Sequence, residues 1–234
     1  MGEVNVCITG ASRGLGRALT KYLVQECGCR VFAVSRDAAR MLSLKEECGS
    51  GLEFLVADLM NPRASSAISE WLSDRIESLD ILYNNAGYLV NKPIEDMREP
   101  DFDRMIHVNY KAPYFLTQAL LPLLRKGNKK HIVNIGSMGG VQGSAKFAGL
   151  SVYSSSKGAI SILTECLAEE LKGEGISVNC LALGSVQTEM LAEAFPGYKA
   201  EMSAELMAEL VGVFGLEWGK GVSGKVIPLA KVSV

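Results

Sequence analysis

Histidine is scarce in this chain. Only His107 and His131 occur among 234 residues, and no acidic or cysteine cluster stands near either. No metal site is therefore expected, because zinc and similar ions need several such donors converging. No cysteine pair has CxxC spacing; the six cysteines sit at 7, 27, 29, 48, 166 and 180. Cys7 and Cys180 fall inside expected buried strands, where a thiol behaves as a small hydrophobe. All six read as reduced and structural, which points to a cytoplasmic location. No apolar run reaches the length of a membrane span. The opening MGEVNVCITG lacks the basic-then-apolar order of a signal peptide. Gly2 follows Met1, but Val6 stands where myristoylation needs Ser or Thr. An excess of basic charge is also missing. With 24 Lys+Arg against 26 Asp+Glu, no nucleic-acid footprint is expected.

What remains is a core-forming chain. Hydrophobic residues make up 48% and charged residues 21%, a balance that supports a large core and argues against disorder. Short apolar runs at 4–8, 30–34, 52–56, 79–83, 131–135, 176–182 and 225–229 read as strands. Most are near-continuous rather than alternating, the pattern of strands buried on both faces of a parallel sheet. Longer amphipathic segments at 15–26, 38–47, 62–75, 102–126, 153–172 and 204–217 read as helices. The alternation predicts an α/β, Rossmann-like, doubly wound seven-stranded parallel sheet with helices on both faces. No repeat, low-complexity tract or linker interrupts 1–234, so a single domain is the simplest reading. Two stretches lie outside the sheet pattern, near 138–152 and in 185–203, running on to about 215. Both follow strand ends, where ligands bind in open α/β sheets.

The first strand runs into Thr9-Gly10-Ala11-Ser12-Arg13-Gly14-Leu15-Gly16 and then a helix. Glycines permit a tight turn and close approach to a pyrophosphate, and a helix N-terminus offers unpaired N–H groups. The second strand ends in Ser35-Arg36-Asp37. Ser35 carries no charge to repel a ribose 2′-phosphate, and Arg36 and Arg13 could pair with one. Asp37 is a competing signal for NAD, and both arginines could instead be solvated surface residues. The balance favours NADP (NADPH).

In Tyr153-Ser154-Ser155-Ser156-Lys157, Tyr and Lys lie one turn apart on one helix face. A neighbouring ammonium would lower the phenol pKa from about 10 and suit it to acid/base work. Taken alone, such a pair is commonplace on helix surfaces. Ser137 ends the fifth strand, where a hydroxyl could donate to a substrate carbonyl. With these residues in this order, the chain resembles a short-chain dehydrogenase/reductase. TGASRGLG at 9–16, Asn84-Asn85-Ala86-Gly87, Ser137 and Tyr153/Lys157 carry the resemblance, which runs from about residue 4 to about 188.

The resemblance implies that Ser137, Tyr153 and Lys157 form a catalytic trio, with Asn109 completing a proton relay. It implies that Gly10, Ser12, Arg13, Gly14, Leu15, Gly16, Arg36, Asn85, Ala86 and Gly87 hold the cofactor, together with Tyr153 and Lys157. Asp58 and Leu59 would contact adenine. Gly184, Val186 and Thr188 would hold the nicotinamide carboxamide. Pro113 lies four residues after Asn109 and has no N–H for its carbonyl. A bent helix is therefore predicted there, with that carbonyl free for a water.

Some features depart from the family pattern. Leu183 replaces a proline before Gly184, sixteen positions separate Ser137 from Tyr153, and the last strand is followed only by 230–234. The extra length between Ser137 and Tyr153 should bulge as a loop within 139–149. Met138, Val141, Phe147 and Leu150, with Met190, Leu191, Phe195, Met202 and Met207, suit an adaptable apolar pocket. Packing inside a lid is the favoured reading of these residues. Hydride exchange between nicotinamide and a carbonyl or alcohol, apolar in its surroundings, is the expected activity, carbonyl reduction being one direction of it. The partner would be a small molecule, with no nucleic acid and no membrane, in a homo-oligomer (dimer or tetramer). The alternatives are a non-catalytic NADP-binding sensor or scaffold, and a nucleotide-sugar epimerase or dehydratase, for which the chain is short.

Overall fold

The computed structural model describes residues 3–230. Strand β1 (Asn5–Thr9) leads into α1 (Gly14–Gln25), β2 (Arg30–Ser35), α2 (Ala38–Cys48), β3 (Leu52–Val56), α3 (Ala64–Ser73) and β4 (Ile81–Asn84). There follow α4 (Glu99–Ile106), a π-helical turn (His107–Lys111), α5 (Ala112–Leu124), β5 (His131–Ile135), α6 (Ser151–Glu170) and β6 (Ser177–Leu183). The rest comprises β7 (Val186–Gln187), α7 (Glu189–Ala194), β8 (Met202–Ser203), α8 (Ala204–Glu217) and β9 (Lys225–Leu229).

Seven strands form one sheet in the order β3-β2-β1-β4-β5-β6-β9, and every neighbouring pair is parallel. The direction of winding reverses between β1 and β4, which opens a crevice at their carboxyl ends. Alternate residues feed two cores. Val6, Ile8, Val31 and Ala33 pack beneath α1, α2 and α8 through Leu19, Met41 and Val211. Cys7, Phe32 and Val34 pack beneath α3, α5 and α6 through Leu72, Leu120 and Ile160. Burial on both faces explains why the strands read as continuous apolar runs. The buried Asp80 pins the amino ends together: its carboxylate accepts from the N–H of Asn5 at 2.9 Å and of Asn128 at 2.7 Å.

All seven expected strands form, but not every helix is as expected. The segment 102–126, expected as one helix, is three pieces. It starts earlier, at Glu99, because Pro100 sits in the first turn, where a missing N–H costs nothing. Ahead of Pro113 the backbone widens into the π turn, and the N–H of Ala112 bonds the carbonyl of His107, five residues back. The expected break near Asn109 is therefore a wide turn of helix. The helix expected from Tyr153 begins two residues sooner, at Ser151. The region after β6 forms its own small unit, a parallel β7–β8 pair with Val186 opposite Met202, and α7 between them. Residues 231–234, noted for lacking the family ending, lie outside the described residues. No helix among the described residues is long and apolar enough to cross a membrane.

Candidate active site

The glycine turn sits at the carboxyl end of β1. Gly10 has φ +72° and Gly14 φ +51°, backbone conformations that favour glycine. A Cβ at Gly10 would lie 2.7 Å from Cα of Ala86, and one at Gly16 would lie 2.2 Å from the carbonyl oxygen of Gly10. These glycines thus let the turn fold onto the segment after β4. Thr9 fastens the two: its hydroxyl accepts from the N–H groups of Asn85 and Ala86 at 3.1 Å each. Asn85 Nδ2 returns a bond to the carbonyl of Thr9 at 2.9 Å. At the start of α1, Arg13 makes no side-chain capping bond and the first turn holds no acid. The N–H groups there suit a phosphate, so the residues present fit a dinucleotide.

Three candidate residues converge across the crevice. Ser137 follows β5, and Tyr153 and Lys157 project from the first two turns of α6. The alignment depends on Gly140, where a Cβ would lie 2.5 Å from the backbone of Lys157; the turn after β5 lies directly on α6. Ser137 lies close enough to Tyr153 to act on its phenol, and the Ser137 Oγ accepts from the N–H of Gly139 at 3.2 Å. Lys157 is 4% exposed. Its Nζ donates to the carbonyl of Ile135 at 2.7 Å and lies 5.9 Å from the centre of the Tyr153 ring. The expected electrostatic pairing is not what this geometry gives. Burial pushes the Tyr153 phenol above its ordinary value, opposed by the Ser137 hydroxyl, and burial pulls Lys157 down to about 8. Loss of water outweighs an ammonium that is turned toward Ile135.

Asn109 is buried beside them. Its Oδ1 accepts from the N–H of Tyr88 at 2.8 Å, and its Nδ2 donates to the carbonyl of Tyr88 and to Ser156 Oγ, both at 2.9 Å. The side chain is thus spent on holding the loop after β4 against α6, leaving only the main-chain carbonyl for any relay. Gly87 borders both groups: a Cβ on it would lie in ordinary contact, 3.7 Å from Asn109 Oδ1 and 3.8 Å from Lys157 Nζ. The loop at 141–150 is irregular, as its extra length suggested, and is tied to the neighbouring loop by Lys92 N–H donating to the Gly149 carbonyl.

The remaining candidates ring the crevice. Arg36 is exposed at the end of β2. Asp37 caps α2 by accepting from the N–H of Arg40 at 3.0 Å, which accounts for the acid without a ribose. Asp58 is exposed and accepts from the N–H of Met60 in the turn after β3, with Leu59 against the core. Leu15 is buried in α1, and Ser12 is half-buried at its start. Gly184 bonds the Leu229 carbonyl, Val186 is buried in β7, and Thr188 caps α7. Thr188 packs on the glycine turn, its Cβ 3.2 Å from where a Cβ of Gly14 would lie. Arg13 is ion-paired with Glu193 of α7. Sequence reasoning missed Thr9, Ser156, Gly140, Arg40 and Glu193. Among the described residues no cluster of His, Cys, Asp or Glu could hold a metal.

Fold and site together define a nucleotide-cofactor oxidoreductase. Residues 4–199 match the family model described as short chain dehydrogenase, and the chain belongs to the short-chain dehydrogenase/reductase family. A Pseudomonas aeruginosa rhamnolipids biosynthesis 3-oxoacyl-[acyl-carrier-protein] reductase is 33% identical over 193 residues, 78% of this chain and 73% of that protein. A 3beta-hydroxysteroid dehydrogenase of Mediterraneibacter gnavus is 30% identical over 235 residues, 98% of this chain and 82% of that one. The solved structure of Pseudomonas aeruginosa RhlG in an NADP active-site complex superposes with TM-score 0.86 at 28% identity, covering 98% and 96% of the two chains. The protein is an NAD(P)-dependent oxidoreductase acting on a small-molecule substrate.

Proposed function

We propose that the chain works as a single domain that uses NADP(H) to reduce a carbonyl on a largely apolar small molecule, or oxidises the corresponding alcohol. The observation that carries this reading is the convergence of Ser137, Tyr153 and buried Lys157 beyond the carboxyl end of β5, with Gly87 alongside Lys157. Bound nicotinamide would supply or accept the hydride. Ser137 would orient the substrate oxygen, and Tyr153, which holds its proton well past neutral pH, would deliver that proton to the developing alkoxide. Lys157 would turn from Ile135 to hold the cofactor ribose, and the Asn109 carbonyl would anchor a relay. The first turn of α1 and the Asn85-Ala86-Gly87 turn would line the cofactor, with Asp58 and Leu59 at the adenine and Gly184, Val186 and Thr188 at the carboxamide. Arg13 and Arg36 favour a 2′-phosphate, and the relative in complex with NADP supports that choice.

The apolar class rests on Met190, whose Cε lies 3.8 Å from where a Cβ of Gly87 would be, and on the exposed Phe147. Its unpaired cysteines suit a reducing cytoplasm. The exposed Phe115 and Ile162 suit a homo-oligomeric contact in a dimer or tetramer. The test is a panel of ketones and alcohols followed by reduced-nicotinamide absorbance, with NADPH and NADH in parallel. Turnover should favour NADPH, and Tyr153→Phe should lower it at least about a hundredfold with cofactor affinity nearly unchanged. Near-wild-type turnover by Tyr153→Phe on the best substrate would refute the assignment.

A further inference from the structure

We propose that the turns at the amino ends of β5, β6 and β9 form a second binding site, for a compact soluble anion bearing phosphate groups. This end of the parallel strands is opposite the crevice that holds Ser137 and Tyr153, and the proposal is independent of the NADP(H) reading. Lys129, Lys130, Lys172 and Lys220 line one cavity of about 380 Å³, together with Asn128 and Ser223. No lining residue is Asp or Glu, in a chain whose formal net charge is −2. Lys129 Nζ donates to the Leu216 carbonyl at 2.7 Å, and Lys130 Nζ to the Glu174 carbonyl at 3.5 Å. Neither bond neutralises an ammonium, and each leaves two of its three donors. The Glu174 carboxylate is taken up by Arg125 through bonds of 2.7 and 2.9 Å. Lys172 pairs with Glu169 at 3.6 Å, the two side chains being 75% and 80% exposed, a pair weak enough to exchange. Lys220 makes no ion pair or hydrogen bond among the described residues.

Hydrogen bonds fix the walls. Asp80 accepts from the N–H groups of Asn128 at 2.7 Å and Lys129 at 3.2 Å. The Lys130 carbonyl accepts from the N–H of Ser177 at 2.8 Å, and Ser177 Oγ donates to the Gly219 carbonyl. Asn179 Nδ2 holds the Val222 carbonyl at 2.7 Å, and Ser223 Oγ accepts from the N–H of Val178 at 3.2 Å, which leaves the Ser223 proton for a ligand. Lys130 has φ +49° and is the one non-glycine residue in the left-handed region among the described residues. Glycine takes this conformation freely, whereas a lysine is strained there. Strain of this kind persists where it serves a function, and here it sets a fourth ammonium in the cavity wall. Cations gathered in a fixed concave site focus their field on an anion. A phosphate offers several charged acceptors to donors converging from three turns.

The test is calorimetric titration with pyrophosphate of protein whose dinucleotide site is kept filled by saturating NADP+ or NAD+, whichever binds more tightly. One saturable site should remain, and its affinity should fall as chloride is raised. Lys130→Gly and Lys220→Gln should each weaken pyrophosphate about three- to tenfold, the scale of one charged contact at a partly exposed site. Both variants should bind the dinucleotide as wild type does, which separates this site from the crevice. Lys130→Gly should also melt about 2–4 °C above wild type without pyrophosphate, because glycine removes the strain. Absence of a saturable site once the dinucleotide is bound, or equal affinity in wild type and both variants, overturns the proposal.

Discussion

Lys157→Met should abolish a rise in stability that the wild-type protein shows between about pH 8 and pH 10.5. The ammonium is buried, and burial holds its pKa near 8, against an ordinary value of 10.5. The sign follows from proton counting. Between those values the unfolded chain keeps a proton on Lys157 that the folded protein has shed, so stability increases with pH across that window. Below about pH 8 both states are charged and the folded state bears the full cost. The gap corresponds to about 3 kcal/mol. Methionine has a similar length and no charge, and so escapes that cost. It also loses the charged hydrogen bond to Ile135, which contributes about 1.5–3 kcal/mol. At pH 7 the two effects nearly cancel, and the variant should unfold within about 2 kcal/mol of wild type. The informative quantity is the difference between the proteins as pH changes, because other titrating groups cancel there. Guanidinium unfolding of cofactor-free protein at pH 7, 8, 9 and 10, followed by tryptophan fluorescence, measures it. Parallel stability profiles would show that Lys157 is not held near 8 and would remove the burial argument.

Other substitutions probe the neighbouring parts. Ser137→Ala deletes the hydroxyl that opposes the upward push of burial on Tyr153. In carbonyl reduction, activity is lost as pH rises through the Tyr153 pKa, so the basic limb of the pH–rate profile should move to higher pH. Turnover should fall about a hundred- to a thousandfold, and an unmoved limb would contradict the geometry. Gly16→Ala places a Cβ 2.2 Å from the Gly10 carbonyl and 2.4 Å from Asn85 Nδ2. It should cost about 1–3 kcal/mol in thermal or denaturant unfolding and weaken cofactor binding at least about tenfold in a fluorescence titration; unchanged values would refute this packing. Pro113→Ala supplies an N–H where the π turn widens, letting the helix close to α geometry onto the Asn109 carbonyl. It should raise the melting temperature and slow turnover modestly, whereas faster turnover would argue against a role for that carbonyl.

The sheet was legible because its strands are buried on both faces, so their runs carry few polar residues to blur the boundaries. The segment 102–126 was not, because its apolar pattern is continuous through Pro113. Only the N–H bookkeeping around that proline shows where the helix must widen, and the sequence fixes neither the kind of turn nor the earlier start at Pro100. At the site, Ser137, Tyr153 and Lys157 were legible from their order along the chain. The residues that position them were not. Thr9 acts through two backbone N–H groups some seventy-five residues away, Ser156 through Asn109, and Gly140 by the close passage of one backbone over another. Such roles depend on long-range juxtaposition and leave no local periodicity. Arg13 was visible as a charge, but its partner Glu193 on α7 lies 180 residues away.

The largest departure from expectation concerns protons. From the sequence, an ammonium one turn from a phenol should stabilise phenolate. In the folded protein, burial drives both groups toward neutrality, Tyr153 upward and Lys157 downward, because water is removed from each faster than they are brought together. The site therefore keeps its proton on Tyr153 at neutral pH, the state needed to protonate an alkoxide. Lys157 holds a carbonyl acceptor, Ile135, in reserve. A ribose hydroxyl that replaced Ile135 would have to turn Nζ away from the sheet and toward Gly87, nearer the phenol. Only then would the pair interact as the sequence suggests, lowering the Tyr153 pKa when the cofactor is in place. Burial thus outweighs the one-turn spacing of Tyr153 and Lys157 in setting where their protons sit.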